Sequence, residues 1–461
     1  MKKIIATFRS ISKSENVHEM ISRTPVSYID FFAFFPMLLM FLLPVYQLVY
    51  TSIFPPNEYF LDSSFGISVN AVSIILIFLG VLFIILKAAK NVQGGIKFGI
   101  KQALCDNIPM VFFGFLILMM IVSTCINGFT DAALHGDEYR RENLFTYILY
   151  FAGFYFLASK IKTEKFKAIL LYTFIFASIP LAVCVYVDFD IVPLNAFMNK
   201  LDFLGIFNNS NHYGYYLTMI ILVSATLFIK EKNIVLKMLS ILSFVINTLI
   251  LIMNNTFGCY LAVLGGLIFN CIIISKTENK FNKRTLILPV VFLLLTFIMS
   301  FRFYTFMSNF TSMFADFGSI IFEKDDALSA GSGRWKLWVT TAKCIAEKPI
   351  FGSGVEGVAD DLLEITNGGN GRTHNEFLQY AAFFGIPAAI AYICGTFSVF
   401  LNGLKNKFRL DMYSIAALTA SFGYLFSSVF GNTMYYTSPF FFILLGIGFS
   451  VNKTQNNKAN A

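Results

Sequence analysis

The sequence has 461 residues, of which 56% are hydrophobic and 13% are charged, and it contains 55 phenylalanines. A mean hydropathy of +0.68 leaves too little polar surface to cover a soluble globule, so the composition excludes a soluble protein and predicts a polytopic membrane protein. The net charge of +8 is explained by basic connections that face anionic cytoplasmic lipid, so we predict no nucleic-acid partner.

Apolar runs divide the chain into membrane spans. A helix of about 20 apolar residues crosses a hydrocarbon core about 30 Å thick. About twelve such runs are present, which predicts an all-α fold whose direct partner is the lipid bilayer. The runs lie at approximately 31–51, 69–88, 107–127, 144–159, 168–187, 212–229, 236–253, 257–275, 285–301, 376–401, 411–430 and 435–451.

The distribution of lysine and arginine predicts the orientation. The two termini and alternate connections hold 25 of the 35 basic residues, and the positive-inside rule assigns these to the cytoplasm. The protein is therefore expected in the cytoplasmic (inner) membrane, with both termini cytoplasmic and an uncleaved first helix. The predicted division is a cytoplasmic segment at 1–28, nine spans at 29–301, an exterior loop with short interfacial helices at 302–372, three spans at 373–451 and a cytoplasmic tail at 452–461.

The exterior loop contains both tryptophans of the chain, one helical turn apart. Trp335, Trp338, Ala342 and Ile345 form an apolar stripe at helical spacing, which predicts a helix. A stripe led by two tryptophans is typical of a helix that anchors a loop in the membrane interface. Arg334 stands directly before the first tryptophan, and its guanidinium can hold phosphate oxygens through two parallel hydrogen bonds.

A second polar motif, Thr373-His374-Asn375-Glu376, precedes the tenth apolar run. Its spacing fits a capping box with Thr373 as N-cap and Glu376 reaching back to the amide of Thr373. This assignment places His374 in the first turn of a membrane helix, where a neutral imidazole could serve as a general base. A hydrogen-bonded surface histidine remains the alternative interpretation.

These motifs resemble those of the O-antigen ligase and Wzy polymerase superfamily of bacterial envelope enzymes. The segment at 205–214, GIFNNSNHYG, is also similar to that family's polar motif before a middle span. The specific motifs cover about a sixth of the chain, whereas the topology agrees along its whole length. The residues that carry the resemblance are Gly333, Arg334, Trp335 and Trp338, then Pro349, Gly352 and Gly354, and finally His374, Asn375 and Gly385.

The resemblance implies a metal-independent glycosyltransferase without a cofactor. Such enzymes move a glycan from an undecaprenyl-diphosphate carrier to an acceptor hydroxyl at the outer face of the cytoplasmic membrane. It implies that His374 is the catalytic base and that Arg334 binds the diphosphate. The acceptor is a second carrier-linked glycan in a polymerase, and a different lipid, a teichoic acid or a protein in a ligase; the sequence leaves both open.

The chain departs from the family pattern at two positions. Ala388 replaces a glycine of many members, and Thr256-Phe257-Gly258 stands where many members have Ser-Arg-Gly. If an arginine is needed there to hold the diphosphate, it must come from elsewhere; Arg372, Arg302, Arg140 and Arg141 are open candidates, and Arg372 is placed with the diphosphate-binding residues. The remaining candidate site residues are Arg302, Arg140, Arg141, Asn211, His212 and Asn375.

Two other functions are compatible with the sequence. A polysaccharide exporter or flippase would need a polar path through the spans, but the span interiors contain almost no ionisable residues. A metal-dependent lipid-phosphate-sugar transferase could use the carboxylates of Asp188-Phe189-Asp190. That motif is short and lies at the exterior end of a span, whereas nucleotide sugars are cytoplasmic, so no metal ligand is predicted. The cysteine spacing likewise indicates neither a disulfide framework nor a metal site.

Overall fold

The computed structural model describes residues 10–53, 58–95, 107–137, 142–188, 206–207, 209–302, 305–322, 327–368, 371–406 and 410–450. Every regular element among these residues is helical, which confirms the predicted all-α class. Several predicted features lie outside the described residues, namely Arg140, Arg141, Asp190 and both chain ends, and only the backbone is described for Asp188 and Arg302.

The described residues of the first half of the chain form ten α-helices. They are α1 (Val17–Arg23), α2 (Val26–Ile53), α3 (Glu58–Gln93), α4 (Ile108–Asn127), α5 (Asp131–His135), α6 (Leu144–Leu149), α7 (Phe156–Ala158), α8 (Glu164–Asp188), α9 (Ser210–Lys230) and α10 (Ile234–Asn254). A π-helical segment, Tyr150–Tyr155, joins α6 to α7.

The second half contains the loop helices and the last spans. They are α11 (Phe257–Glu278), α12 (Ile287–Arg302), α13 (Thr305–Ile321), α14 (Arg334–Glu347), α15 (Ala359–Ile365), α16 (Glu376–Phe384), α17 (Ile386–Lys405), α18 (Met412–Ser428) and α19 (Ser438–Phe449). Short 3₁₀ turns at Lys283–Leu286 and Ala327–Ser329 precede α12 and α14.

Eight helices of the described chain are long and apolar enough to cross a membrane. They are α2, α3, α4, α8, α9, α10, α11 and α17. The other four apolar runs form shorter helical pieces: α6 to α7 with the π-helical segment between them, α12, α18 and α19. The protein is therefore a multi-pass membrane protein, while the count of twelve spans stays a prediction because these four pieces are shorter than a full crossing.

Helix α9 lies at the centre of the bundle and is almost entirely buried. It packs against α10, α11 and α18. A Cβ atom at Gly266 of α11 would lie 2.4 Å from Cδ1 of Leu222, and one at Gly423 of α18 would lie 2.2 Å from the same atom. Two glycines therefore let three helices meet around one leucine, as is common in membrane bundles. This packing holds α9 against α11 and α18.

The segment after α14 is hydrogen-bonded to the end of α16. Ser353 N–H donates to Ala382 O at 2.8 Å, Gly354 N–H donates to Phe383 O at 2.9 Å, and Ile386 N–H donates to Pro349 O at 2.8 Å. A Cβ atom at Gly385 would lie 2.0 Å from Ile350 O, and Gly385 has a φ of +91°. Glycine is required at that close approach.

Candidate functional site

A cavity of about 450 Å³ lies where α14 meets the starts of two membrane helices. Its volume is in the range of ordinary small-molecule sites. Its wall comes from α9, the turn between α10 and α11, α13, the start of α14, and Phe430. The polar residues of the wall include Ser210, Asn211, Asn255, Thr256, Asn309, Ser312, Asp316, Ser332 and Arg334.

Three helices begin at this cavity. Asn211 at the start of α9, Gly258 at the start of α11 and Trp335 at the start of α14 all belong to its wall. The N-cap residues of α11 and α14 make no side-chain capping bond. The positive ends of helix dipoles favour an anionic ligand. The backbone alone therefore makes this cavity suitable for a negatively charged group.

Arg334 adds a full positive charge to the same cavity. One terminal nitrogen of its guanidinium donates to Gly331 O at 3.3 Å, and the other donates to Oδ1 of Asn211 at 3.4 Å. Its Nε is buried and has no hydrogen-bond partner within the described part of the chain. Because both bonds are long and go to neutral acceptors, the guanidinium retains capacity to bind an anion.

The two tryptophans of α14 differ from their predicted role. The predicted apolar stripe ran through Trp335 and Trp338, but the buried face of α14 consists of Leu337, Thr341 and Ile345. Both tryptophans instead line the cavity, where the ring of Trp338 stacks on that of Phe430 with centroids 6.1 Å apart. The loop helix thus packs on the protein through one face and presents aromatic surface to the cavity.

His374 lies beside the cavity rather than in its wall. Its carbonyl oxygen accepts a hydrogen bond from Nε1 of Trp338 at 3.4 Å, and its N–H donates to Oδ1 of Asn432 at 2.7 Å. Its φ of +48° is in the left-handed region, which few non-glycine residues occupy. Two hydrogen bonds from other parts of the chain therefore accompany this unusual backbone conformation.

The predicted capping box is wrong. The N-cap of α16 is Asn375, whose Oδ1 accepts the N–H of Leu378 at 3.0 Å. Glu376 is buried, and its carboxylate accepts hydrogen bonds from the hydroxyls of Tyr392 at 3.1 Å and Thr433 at 3.2 Å. His374 consequently precedes the helix instead of lying in its first turn, because Glu376 finds partners in the bundle core.

Arg372 is fully buried in an ion-pair cluster that we call the Arg372 cluster, formed with Glu142 and Glu356. Its Nε donates to Oε1 of Glu356 at 2.8 Å, and one terminal nitrogen donates both to Oε2 of Glu142 and to the carbonyl of Thr433 at 2.7 Å. Burial alone would lower the pKa of Arg372, but the carboxylates raise it well above its ordinary value. Burial raises the pKa of Glu142, and Arg372 opposes this shift. The cluster fixes the chain immediately before His374.

The structure brings some of the predicted residues together and separates others. Asn211 contacts Arg334, whereas His212, 8% exposed, is buried beside Tyr215 and Tyr436 and does not line the cavity. Arg372 is also absent from the wall. The predicted diphosphate-binding role of Arg372 stays a prediction.

Several polar residues near the site were not predicted. Glu142, Glu356 and Asn432 hold the region around His374, and Asn309 and Asp316 belong to the cavity wall. The sequence carried one weak signal, since the acidic residues lie in polar connections next to apolar runs. Nothing in the local pattern indicated which of them would be buried together.

The residues that the structure describes contain no group of three or more histidine, cysteine, aspartate or glutamate side chains that could hold a metal ion. The carboxylates of Asp188 and Asp190 fall outside the side chains that the structure describes.

One known family matches this region. Residues 242–393 match the family model described as O-antigen ligase, and this range contains α11, α13, α14, Arg334 and His374. No curated protein matches the chain. The match supports a membrane glycan transferase of the ligase or polymerase type and confirms the resemblance seen in the sequence. The match covers 152 of the 461 residues, so about a third of the chain, including the cavity region, is similar to the O-antigen ligase family.

Proposed function

We propose that the protein transfers a glycan from an undecaprenyl-diphosphate carrier to an acceptor hydroxyl at the outer face of the cytoplasmic membrane. One observation carries the proposal: Arg334 presents unsaturated donors in a cavity at which three helix N-termini converge. A lipid diphosphate combines the negative charge that such a cavity favours with an apolar tail that remains in the bilayer.

In this proposal, the diphosphate is the leaving group. The acceptor oxygen forms a bond to the anomeric carbon while the bond from that carbon to the diphosphate oxygen breaks, and the electron pair leaves with the diphosphate. Arg334 and the positive dipole ends of α9, α11 and α14 would neutralise the charge that develops there. The mechanism needs no metal ion, because these groups supply the positive charge.

The proton of the acceptor hydroxyl goes to a base beside the cavity, and His374 is the proposed base. Its backbone is hydrogen-bonded to Trp338, whose ring lines the cavity. An imidazole has the pKa range that suits proton transfer at neutral pH. A small movement of the acceptor or of His374 on substrate binding would complete the contact, as often happens in enzymes without bound substrate.

The buried position of Arg372 favours a positioning role over direct contact with the diphosphate. All three of its guanidinium nitrogens donate to protein oxygens, among them the carboxylates of Glu142 and Glu356. Moving it into the cavity would leave two buried carboxylates without their cation, which is costly. Arg334 is therefore the proposed diphosphate ligand, and Asn211 orients its guanidinium.

The first test compares His374→Ala with Arg334→Lys in purified enzyme and in membranes. His374→Ala should retain carrier binding but lower transfer by about 10²–10⁴-fold, the usual effect of losing a general base. Arg334→Lys keeps the charge but loses the planar fork, so donor binding and turnover should both weaken. Lys343→Ala, which removes an exposed cation from the same helix, is the matched control and should change neither. Normal transfer by a folded His374→Ala enzyme would remove the proposed mechanism.

A deletion strain distinguishes a polymerase from a ligase. Loss of long polymer with single repeat units left on the carrier indicates a polymerase. Full-length polymer that accumulates on the carrier indicates a ligase.

A further inference from the structure

Helix α13 forms the wall of the cavity that faces α14. Three of its polar residues lie on one side and two exposed apolar residues on another. Asn309, Ser312 and Asp316 are spaced by three and four residues and line the cavity. Phe314 and Ile321, on another side of the same helix, are 60% and 64% exposed. The helix also contributes three apolar residues to the wall, so it turns a mixed polar and apolar face to the cavity. Its exposed apolar side suits the membrane interface, and α13 therefore separates the cavity from lipid.

The polar residues of this wall are held in place by neighbouring elements. Nδ2 of Asn309 donates to Oδ1 of Asn255 at 2.8 Å, which ties α13 to the end of α10. Oδ2 of Asp316 accepts the N–H of Gly331 at 3.0 Å, and the carbonyl of Gly331 accepts a hydrogen bond from Arg334 at 3.3 Å. One residue, Gly331, therefore links the carboxylate of Asp316 to the guanidinium of Arg334 through its N–H and its carbonyl. A ligand that contacts both Asp316 and Arg334 must therefore carry polar groups on neighbouring chemical units.

The part of the cavity near Asp316 differs in chemistry from the part near Arg334. Asp316 is the one acidic residue among the described residues of the wall, and its carboxylate would repel a phosphate. Carboxylate and amide side chains are suited to hydroxyl groups, which can donate to the former and both donate to and accept from the latter. Trp335 supplies flat apolar surface at the same place. These features fit a neutral ligand with several hydroxyls and an apolar face, which describes a sugar ring.

We propose that Asp316, Asn309 and Asn255 form a subsite for the sugar that is bonded directly to the carrier diphosphate. This inference rests on the proposed function, because it assumes that Arg334 holds the diphosphate. The short separation between Asp316 and Arg334 selects the first sugar over a more distant unit of the glycan. The subsite would make the enzyme distinguish a loaded carrier from the spent carrier that remains after transfer.

The test is a binding competition with two probes, undecaprenyl diphosphate and undecaprenyl diphosphate bearing one hexose, on the full-length protein in lipid nanodiscs. Asp316→Asn keeps an acceptor for the N–H of Gly331 but removes the charge, and Asn309→Ala removes the amide. Each should weaken binding of the sugar-bearing probe by about 10–100-fold, the effect of losing a hydrogen bond to a charged or buried polar group. Binding of the sugar-free probe should stay within about twofold. Thr311→Ala, which lies on the exposed side of the same helix, is the matched control and should change neither affinity.

The outcomes distinguish a failure of the sugar subsite from a failure of the proposed diphosphate site. Arg334→Lys should weaken both probes alike, and its failure to do so would count against the proposed diphosphate site. If Arg334→Lys behaves as expected but Asp316→Asn and Asn309→Ala weaken both probes equally, or neither, the sugar subsite is wrong. A rise in the acceptor KM with unchanged donor binding would assign these residues to the acceptor and overturn the proposal.

Discussion

Replacing Arg372 by methionine tests whether the Arg372 cluster is a structural anchor. Methionine is unbranched and fills part of the same space, but it has no charge and no hydrogen-bond donor. The substitution leaves the carboxylates of Glu142 and Glu356, 0% and 9% exposed, buried near each other without their cation. We expect the folded state to lose much of its stability, because isolated buried charges are strongly unfavourable.

The expected loss is about 3–5 kcal/mol, the usual cost of removing one partner from a buried ion pair. At about 1.4 kcal/mol per factor of ten, this lowers the folding equilibrium constant by about 10²–10⁴-fold. A partly exposed ion pair near the surface gives the contrast. Lys230 and Glu278 are 2.9 Å apart with side chains 22% and 23% exposed, so Glu278→Gln should cost only about 0–1 kcal/mol.

The loss should depend on pH. Burial already raises the pKa of Glu142, and removing Arg372 takes away the charge that opposes this shift. A carboxyl whose pKa is higher in the folded than in the unfolded state favours folding more as the pH falls, because the folded state then binds more protons. The Arg372→Met variant should therefore regain stability as the pH is lowered from 7 towards the carboxyl pKa of the unfolded chain, about 4.3.

Unfolding in mixed detergent micelles measures the loss, and a rescue variant identifies its cause. Adding Glu142→Gln and Glu356→Gln to Arg372→Met neutralises the whole cluster and should restore most of the stability. Asp411→Asn is the control for a buried pair elsewhere, since Asp411 pairs with buried Lys167 at 2.8 Å at the other end of α18. It should destabilise the protein without changing donor affinity.

Two results would contradict this reasoning. If Arg372→Met unfolds no more readily than Glu278→Gln, the carboxylates do not depend on Arg372. If the neutralised variant is stable but no longer binds the carrier diphosphate, Arg372 contacts the diphosphate directly, as the sequence predicted.

Three further predictions follow from the site and the topology. Asn432→Ala removes the acceptor for the N–H of His374 and should lower turnover by about tenfold with unchanged donor affinity; Asn432→Asp should restore it, and an unchanged rate in Asn432→Ala would show that the bond does not position the histidine. A cysteine at Asn367 should be labelled in intact cells and one at Lys280 should not, because the basic residues predict an exterior loop; the reverse pattern would place the loop in the cytoplasm. Transfer should survive EDTA, whereas complete loss restored by Mg²⁺ would redirect attention to the carboxylates at 188–190.

The membrane class and the approximate helix positions could be predicted from the sequence because they depend on local properties. An apolar run of sufficient length forms a helix in lipid, where every backbone polar group must be bonded within the segment. Eight of the predicted runs coincide with helices that are long enough to cross. The other four are shorter, and whether each crosses depends on how its neighbours cover it rather than on its own composition.

The start of α16 shows where local reasoning stops. Thr373 and Asn375 are both good N-cap residues, and a glutamate three residues after Thr373 favoured the first. Contacts from distant residues decided for the second: the hydroxyl of Thr433 donates to the carboxylate of Glu376, and Oδ1 of Asn432 accepts the N–H of His374 before the helix. These partners lie 57 and 58 residues further along the chain.

The two arginines of the loop show the same difference between what the sequence and what the tertiary structure decide about the site. Arg334 and Arg372 are chemically identical, and the sequence determined only that two permanent cations stand near a histidine. Tertiary structure brought Arg372 against Glu142, 230 residues away, and left Arg334 beside Asn211, 123 residues away. A guanidinium paired with carboxylates in a low-dielectric interior is held as structure, whereas one bonded only to neutral oxygens in a cavity remains available to a ligand.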